Sequence, residues 1–181
     1  GIEESDLIFL IGTNPRFEGT ILNARIRKTY LQKKSKIISL NDVGDLTYPY
    51  QALDGKTQTI KNIIDGKNQT SKEILQSKKP LLIFGESFLR LKSANYLLSI
   101  LKEFLTKNQK FTENWNPINI LSSDASTVGN LDLEIINNNQ NLLKELNDNE
   151  FEIVYLLGQD DLKFNKKNEF IIYQGSHGDK G

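Results

Sequence analysis

Six short apolar runs recur along the chain, and none of them alternates cleanly between apolar and polar residues. A β-strand that is apolar on both faces must be covered on both faces, which is typical of a parallel sheet between layers of helices. The sequence therefore predicts six buried strands. They are 7–11, 37–40, 81–84, 118–121, 153–157 and 170–173.

The segments between these runs carry helical periodicity. From Leu91 onward, apolar residues recur every three or four positions, which predicts a long helix packed on the sheet. Residues 20–34 place Leu22, Ile26 and Tyr30 on one helical face. The other face of that helix carries Arg25, Lys28 and Lys33, which suits an acidic partner or is simply solvated. Shorter helical segments are predicted at 58–64, 71–75 and 137–146, the last with Leu142, Leu143 and Leu146 facing inward. A brief helix or turn is predicted near 161–164.

This alternation predicts an α/β fold with an open, doubly wound, mostly parallel sheet and helices on both faces. At 181 residues, we expect a single α/β domain spanning 1–181. The polar stretch 41–68 predicts a long excursion between the second and third strands. Loops at the carboxyl ends of parallel strands form the binding crevice of such sheets, so candidate functional residues are sought there.

Composition excludes several kinds of chemistry. The chain has no Cys and one His, which excludes disulfides, thiolate metal sites and multi-His metal sites, and argues against a Ser/His/Asp triad. Lys plus Arg equals Asp plus Glu at 23 each, which argues against a nucleic-acid partner. No apolar run approaches the ~20 residues of a membrane helix, so direct membrane insertion is not expected. Because position 1 is Gly rather than Met, we expect a piece of a longer polypeptide.

The tetrapeptide Gly12-Thr13-Asn14-Pro15 follows the first predicted strand and opens a helix. Backbone amides at a helix N-terminus can hold a phosphate group. The alternative is a tight strand-to-helix turn, in which Pro15 presets the backbone and Asn14 tolerates unusual dihedral angles. The segment is not a G-x-G-x-x-G fingerprint, because Asn14 and Phe17 stand at the later glycine positions.

Three further features have competing interpretations. Gly55-Lys56-Thr57 resembles the end of a phosphate-binding loop, but Tyr50 stands where the first glycine is required, which favours a polar turn. His177 lies in a glycine-rich segment with Asp179 nearby to orient its ring, and no nucleophile or second ligand is identifiable beside it. Trp115 is interpreted as a packing anchor at the sheet edge, with an interface contact as the alternative.

The same loops carry a family resemblance. The stretches 6–18 and 22–28 resemble the molybdopterin-oxidoreductase-like region of the largest peripheral-arm subunit of respiratory complex I. Later stretches fit in the same order, at 79–85, 115–121, 155–160 and 172–179. The resemblance covers nearly the whole chain, and its first and last motifs are the most specific.

The resemblance implies a structural scaffold segment of the peripheral arm of NADH:ubiquinone oxidoreductase, which couples electron transfer to proton pumping. It implies no cofactor and no catalytic or metal-binding residue in this chain, so the segment is not catalytic by itself. Iron–sulfur clusters and FMN would lie in neighbouring parts of the complex, the clusters in a Cys-rich domain of the same subunit. The vestigial pterin-facing loops would contain Gly12, Thr13, Asn14, Pro15, Gly175, His177, Gly178 and Asp179.

The implied partners are other peripheral-arm subunits, together with the iron–sulfur domain of the same subunit. The implied location is the matrix side of the mitochondrial inner membrane, or the cytoplasmic side of a bacterial inner membrane. Two alternatives remain open at this point. One is a genuine molybdopterin oxidoreductase such as a formate dehydrogenase, in which 12–14 and 175–179 face a pterin cofactor. The other is a stand-alone doubly wound domain that binds a small molecule.

Overall fold

The computed structural model describes residues 1–33, 35–124, 126–135, 142–148, 150–159 and 162–176. The chain divides into two compact units, Gly1–Ala125 and Ser126–Gly181, which are described separately. The expectation of a single domain over 1–181 stays a prediction. Within the described part of the chain, no helix is both long and apolar enough to cross a bilayer.

The N-terminal unit contains a five-stranded parallel sheet in the order β3-β2-β1-β4-β5. A short 3-10 helix, Ile2–Glu4, precedes the first strand. Its strands are β1 Leu7–Ile11, β2 Lys36–Ser39, β3 Gln51–Ala52, β4 Pro80–Gly85 and β5 Ile118–Leu121. Its helices are α1 Pro15–Glu18, α2 Thr20–Lys33, α3 Thr57–Ile64, α4 Gln69–Gln76, α5 Glu86–Leu89 and α6 Ala94–Lys107.

Both faces of the central strands are covered, as the apolar runs predict. Every residue of β1 and of β4 is buried. On one face, Phe9 and Phe84 pack against α3, α4 and α6, and on the other face Ile8 and Leu10 pack against α2 through Ile26. Each such side chain contributes about 1.5–3 kcal/mol by burial. The predicted doubly wound parallel sheet with helices on both faces is therefore confirmed for this unit.

Some element boundaries differ from the sequence prediction. The strand β3 has two residues, which is too short for any periodic pattern to reveal. The long helix predicted from Leu91 begins instead at Ala94, because α5 forms first and ends before the chain turns into α6. Leu91 is accordingly 41% exposed, whereas Leu97, Leu101 and Leu105 are buried against the sheet.

A carboxylate clamp fixes β1 beside β4. Asp6 directly precedes β1 and accepts hydrogen bonds from the Ser77 hydroxyl, from the Lys78 amide at 2.8 Å and from the Lys79 amide at 3.0 Å. Partial burial opposes ionisation of Asp6, but these hydrogen bonds outweigh it and lower the pKa of the carboxyl. The clamp sets the start of β4 opposite the start of β1, where Leu7 aligns with Pro80.

Trp115 anchors the edge of the sheet next to β5. Its ring is buried, and its Nε1 donates to the Pro80 carbonyl oxygen at 2.8 Å. The Lys79 ammonium lies 5.2 Å from the ring centroid, within cation–π range. Its packing role, predicted from sequence, is confirmed.

The C-terminal unit contains α7 Thr127–Asp132, α8 Leu142–Asn147 and a two-stranded parallel ladder of β6 Ile153–Leu157 and β7 Phe170–Gln174. One face of this ladder is largely exposed. Ile153, Tyr155 and Leu157 of β6 are 62%, 54% and 70% exposed, and Phe170 of β7 is 67% exposed. The prediction that these two strands are covered on both faces is therefore wrong for the residues described, because the unit supplies no layer over this face.

The helical predictions in this unit are only partly matched. The segment 137–146 begins outside the described residues, and its described end is α8. Of its three leucines predicted to face inward, only Leu146 is buried, whereas Leu142 and Leu143 are about half exposed. A helix of six residues presents little more than one turn to its neighbours. The brief helix or turn predicted near 161–164 is wrong for its described part, since 162–164 form neither.

Candidate functional site

The candidate site of the N-terminal unit is the edge where the carboxyl ends of its parallel strands meet. The turn after β1, the loop after β2 and the turn after β4 all reach this edge. In doubly wound sheets the ligand crevice lies there. The residues Gly12 to Pro15, which the sequence singles out, are all part of it.

Two glycines allow the turns after β1 and β4 to touch. Gly12 has φ +64°, and a Cβ atom there would lie 2.6 Å from Phe88 Cβ. A Cβ atom on Gly85 would overlap the Gly12 carbonyl oxygen. The Ser87 hydroxyl donates to that same oxygen at 2.5 Å. Protein atoms therefore fill the space between the two turns, and both positions require glycine.

Asn14 caps α1 and joins it to the loop after β2. Its Oδ1 accepts from the Arg16 amide at 3.1 Å, and its Nδ2 donates to the Val43 carbonyl oxygen at 2.9 Å. The backbone of Asn14 is extended, with φ −116°, and Pro15 occupies the first helical position. The segment is thus the tight strand-to-helix turn, with Gly12 rather than Asn14 carrying the left-handed conformation.

Glu18 occupies the donors that an anion would need. Its carboxylate accepts from the Asn14 amide at 2.9 Å and from the Thr13 hydroxyl at 2.8 Å. The helix α1 has only four residues, so few other amides point toward this edge. A negative charge already sits at this helix start, which opposes the binding of a phosphate there.

At the start of α3, as at the start of α1, a carboxylate of the chain accepts hydrogen bonds from a nearby amide and hydroxyl. Asp54 Oδ1 accepts from the Lys56 amide at 3.2 Å and from the Thr59 hydroxyl at 2.5 Å. The hydrogen bond from Thr59, followed by that from the Lys56 amide, lowers the pKa of Asp54. Gly55-Lys56-Thr57 is therefore a polar turn held by the chain's own carboxylate, in agreement with the interpretation favoured by its sequence.

Hydrogen bonds also hold the loop after β2 rigidly over this edge. Asp42 accepts from the Gly44 amide and from the Tyr50 hydroxyl, which together lower the pKa of Asp42. Asp45 accepts from the Thr47 amide and forms an ion pair with Arg16 at 2.6 Å, and its pKa is likewise lowered.

The turn after β4 carries another internally satisfied carboxylate. Glu86 Oε1 accepts from the Ser123 amide at 2.9 Å, and its Oε2 pairs with Arg90. The hydrogen bond from the Ser123 amide lowers the pKa of Glu86 despite a smaller opposing effect of burial. Glu18, Asp42, Asp45, Asp54 and Glu86 thus all lie along one edge and are held by donors of the chain itself.

The second candidate segment lies in the C-terminal unit. Gly175 directly follows β7, and a Cβ atom there would overlap the Tyr173 hydroxyl. His177, Gly178 and Asp179 lie outside the described residues. Within the described residues, no group of three or more His, Cys, Asp or Glu side chains is placed to hold a metal ion.

Sequence reasoning did not identify the roles of Glu18 and Asp54. A signal was available, because an acid in the first turn after a capping residue commonly bonds back to the start of its helix. Asn14 and Glu18 have nearly that spacing. The contact of the loop after β2 with Asn14 is a tertiary contact over 29 residues, for which the sequence offers no local pattern.

The sheet order and the glycine turns place the N-terminal unit in the doubly wound α/β class. Within this class, the chain belongs to the molybdopterin oxidoreductase family, whose family model matches residues 1–181. This match confirms that the resemblance seen in the motifs extends over the whole chain.

Named relatives agree with this assignment. The chain is 40% identical over 183 residues to the NADH-ubiquinone oxidoreductase 75 kDa subunit of Reclinomonas americana, covering 99% of this chain and 26% of the relative. It is 35% identical to the mitochondrial NADH-ubiquinone oxidoreductase 78 kDa subunit of Candida albicans, covering 100% and 24%. It is 32% identical to an NADH-quinone oxidoreductase subunit of Rickettsia bellii, covering 100% and 26%. The chain spans about a quarter of the length of these relatives.

The family name implies a pterin cofactor, whose phosphate groups would seek amides and hydroxyls at a strand-to-helix turn. In this chain Glu18 takes the Thr13 hydroxyl and the Asn14 amide, and Asp54 takes the Lys56 amide. The space between Gly12 and Gly85 is filled by backbone. The residues of this edge therefore do not fit the phosphate groups of such a cofactor.

Proposed function

We propose that the chain is a structural scaffold segment of the peripheral arm of respiratory complex I, the NADH:ubiquinone oxidoreductase, and carries no redox centre itself. The observation that carries this proposal is the match to the Reclinomonas americana subunit, which includes 99% of this chain at 40% identity. Electron transfer from NADH to ubiquinone, with proton pumping, belongs in this proposal to the whole complex.

The geometry of the carboxyl edge supports a structural role. A ligand-binding edge keeps donors available, whereas here Glu18 and Asp54 consume them within the chain. The same hydrogen bonds tie the turn after β1 to its own helix and fix the start of α3. In this proposal Gly12, Thr13, Asn14 and Pro15 serve as a rigid turn that descends from a pterin-facing loop.

The remaining parts of the proposal concern neighbours and location. Because the chain has no Cys, it offers no thiolate to an iron–sulfur cluster, and we place such clusters and FMN in other parts of the complex. Its partners would be other peripheral-arm subunits and the iron–sulfur domain of the same subunit. Relatives from mitochondria and from a bacterium favour the matrix side of the inner membrane, or the cytoplasmic side in a bacterium.

A second candidate is a segment of a molybdenum or tungsten oxidoreductase such as a formate dehydrogenase. The observation in its favour is the family model itself, which is that of molybdopterin oxidoreductases. The occupied donors of the carboxyl edge weigh against it. In that case the turn at Gly12 would have to rearrange to admit the cofactor.

The test is a native pull-down of the chain from its source membranes, with mass spectrometry of the co-purifying proteins and metal analysis of the same sample. We expect subunits of the flavin- and iron-containing NADH dehydrogenase, without stoichiometric molybdenum or tungsten. Molybdenum or tungsten with a small set of redox partners would overturn the scaffold proposal and favour the second candidate.

A substitution of Asn14 can distinguish a scaffold role of the chain from a role in electron transfer. Asn14→Ala removes the cap of α1 and the bond to the Val43 carbonyl oxygen, so we expect less assembled complex. The rate of NADH oxidation per bound FMN should stay unchanged. Asn95→Ala, at an exposed position of α6, makes the same substitution outside the turn after β1 and should assemble like the wild type. Loss of electron transfer in fully assembled complex would contradict the scaffold role.

A further inference from the structure

The helix α2 carries an apolar stripe on the side that faces away from the sheet. Phe17 and Ile21 are 80% and 78% exposed, Leu31 is 57% exposed, and Ala24 and Lys28 are exposed between them. Phe17 lies in α1, which ends before Gly19, whereas Ile21, Ala24, Lys28 and Leu31 follow the spacing i, i+3, i+7 and i+10 within α2. This is the a/d spacing of a helix that packs against another helix. We call these five residues the outward seam.

Cations border the outward seam. Arg25 and Arg27 stand at the positions beside the a/d stripe, and α2 contains neither Asp nor Glu. Glu3 pairs with Arg25 at 3.5 Å and with Lys28 at 3.1 Å. Among the ion pairs of the described residues, none includes Arg27. A partner that covers the seam would therefore bind more favourably if it placed a carboxylate opposite Arg27.

The distribution of arginine supports an interface here. The chain has 23 basic residues but only four arginines, at positions 16, 25, 27 and 90. Three of these four lie on or beside α1 and α2, together with the most exposed phenylalanine. Arginine and aromatic residues are enriched at protein–protein interfaces, whereas lysine is depleted there.

The charges beside the outward seam favour one kind of partner over two others. A second copy of this chain would bring Arg25, Arg27 and Lys28 against the same cations, which is repulsive because α2 offers no carboxylate. An anionic lipid surface would meet Glu3 and the Asp45 partner of Arg16 among the cations. An acidic helix can instead place its carboxylates selectively beside the arginines.

We infer that the outward seam of α2 binds an acidic amphipathic helix of a neighbouring polypeptide in the assembly. This inference rests on the proposed function, because it takes the neighbour to be another subunit of the same complex. The seam from Ile21 to Leu31 is about 15 Å long, so the partner helix contributes about ten residues, or about three turns. Its apolar a and d residues pack on Ile21 and Leu31, and its Asp or Glu residues face Arg25 and Arg27.

The test uses the intact complex isolated from its source. A carbodiimide joins lysine amines directly to carboxylates that they touch, and mass spectrometry identifies the joined residues. We expect a link from Lys28 to an Asp or Glu residue of a helix in another polypeptide, in addition to the link that Lys28 can form with Glu3 of this chain. The ion pair of Lys107 with Glu103, at 2.7 Å within this chain, is the internal control that shows the reaction has worked.

Variants measure the strength of the contact. Ile21→Ser combined with Leu31→Ser, and separately Arg27→Glu, should each reduce retention of the chain in the complex after a salt wash by about tenfold. Arg27→Lys keeps the charge and should retain most of the binding. On α6, the exposed positions Tyr96→Ser and Lys102→Glu are the matched controls, with less than about a twofold change. Melting curves of the variants confirm that the exposed substitutions leave the fold intact.

The outcomes separate the two proposals. NADH dehydrogenase subunits without a link from Lys28 to another polypeptide, and with seam variants that behave like the α6 controls, would overturn the docking surface and leave the proposed function standing. Links to an acidic helix in an assembly that lacks those subunits would overturn the proposed function and support the surface. Links of Lys28 only to parts of the same polypeptide other than Glu3 would overturn the inference that the partner is a neighbouring subunit.

Discussion

The strands β1 and β6 are similar in sequence but differ in burial. Each contains five apolar residues, and each is followed by a glycine with positive φ, +64° at Gly12 and +61° at Gly158. All five residues of β1 are buried, whereas only Val154 is buried in β6. The difference lies in the neighbours, because β1 has a strand on each side and helices on both faces.

The comparison shows that an apolar run specifies a strand but not the layers that cover it. Parallel strands are stable when both of their faces are packed. The N-terminal unit meets this condition for β1 and β4, and the C-terminal unit leaves one face of its two strands exposed. The first unit should therefore hold most of the stability of this chain, and each of the following measurements can contradict that expectation.

The largest expected difference comes from truncating one aromatic residue in each unit. Phe9→Ala in β1 removes a fully buried ring and should lower the free energy of unfolding by about 3–5 kcal/mol. Tyr155→Ala in β6 removes a ring that is 54% exposed and should cost less than about 1 kcal/mol. Urea unfolding monitored by circular dichroism measures both. Equal losses would show that β6 is packed as tightly as β1.

Amide hydrogen exchange compares the two ladders without mutation. The amides of β1 and β4 should exchange only when the N-terminal unit unfolds, whereas those of β6 and β7 should open locally. We expect exchange at least about a hundredfold faster in β6 and β7, because opening that ladder exposes little additional apolar surface. Similar protection in both ladders would contradict the comparison.

Two glycines with nearly equal φ provide a matched pair. Gly12→Ala forces an L residue into the left-handed region and also drives its Cβ against Phe88, so we expect a loss of about 2–3 kcal/mol. Gly158→Ala meets no heavy atom within 4 Å, so only the backbone strain of about 1 kcal/mol remains. Thermal melting of the two variants gives the difference. A larger loss for Gly158→Ala would indicate packing around that turn.

Of the compared pairs, Asp6→Asn and the wild type have the smallest expected difference in stability, and that difference depends on pH. The folded pKa of Asp6 lies below its ordinary value, so the ionised clamp stabilises the fold above about pH 4 and loses this contribution as the pH falls through the folded pKa. Because the partly buried Asp6 side chain is still largely in contact with solvent, we expect a loss of about 1 kcal/mol at pH 7. The difference from wild type should shrink at acidic pH in parallel urea titrations. A difference that stays the same at acidic pH would contradict the role of the ionised clamp.

The strands of the N-terminal unit were predictable because an unbroken apolar run carries its own signal. Leu7–Ile11 and Ile118–Leu121 were predicted to the residue, and the glycine turn after β1 was located correctly. The two-residue β3 gave no periodic signal in the sequence. The pattern of α5 could not be told apart from that of α6, the helix that begins at Ala94. These short elements depend on tertiary contacts, which produce no periodic pattern of apolar residues in the sequence.

The candidate site was predictable in position but not in chemistry. The rule that loops meet at the carboxyl edge located the turn at Gly12 correctly. Whether its amides were available depended on where the Glu18 carboxylate lies, four residues later along α1. The rotamer of the Glu18 side chain determines whether those amides are available, and no pattern in the sequence predicts that rotamer.

The carboxylate clamp at Asp6 has a consequence for the order of synthesis. Its partners at 77–79 follow it by more than 70 residues, so on the ribosome β1 leaves the exit tunnel long before β4 exists. Pairing over such a separation requires closure of a long loop. Until then β1 can align only with β2, and its apolar side toward β4 stays open to aggregation or to chaperones. Translation speed through this interval should therefore govern the yield of soluble chain.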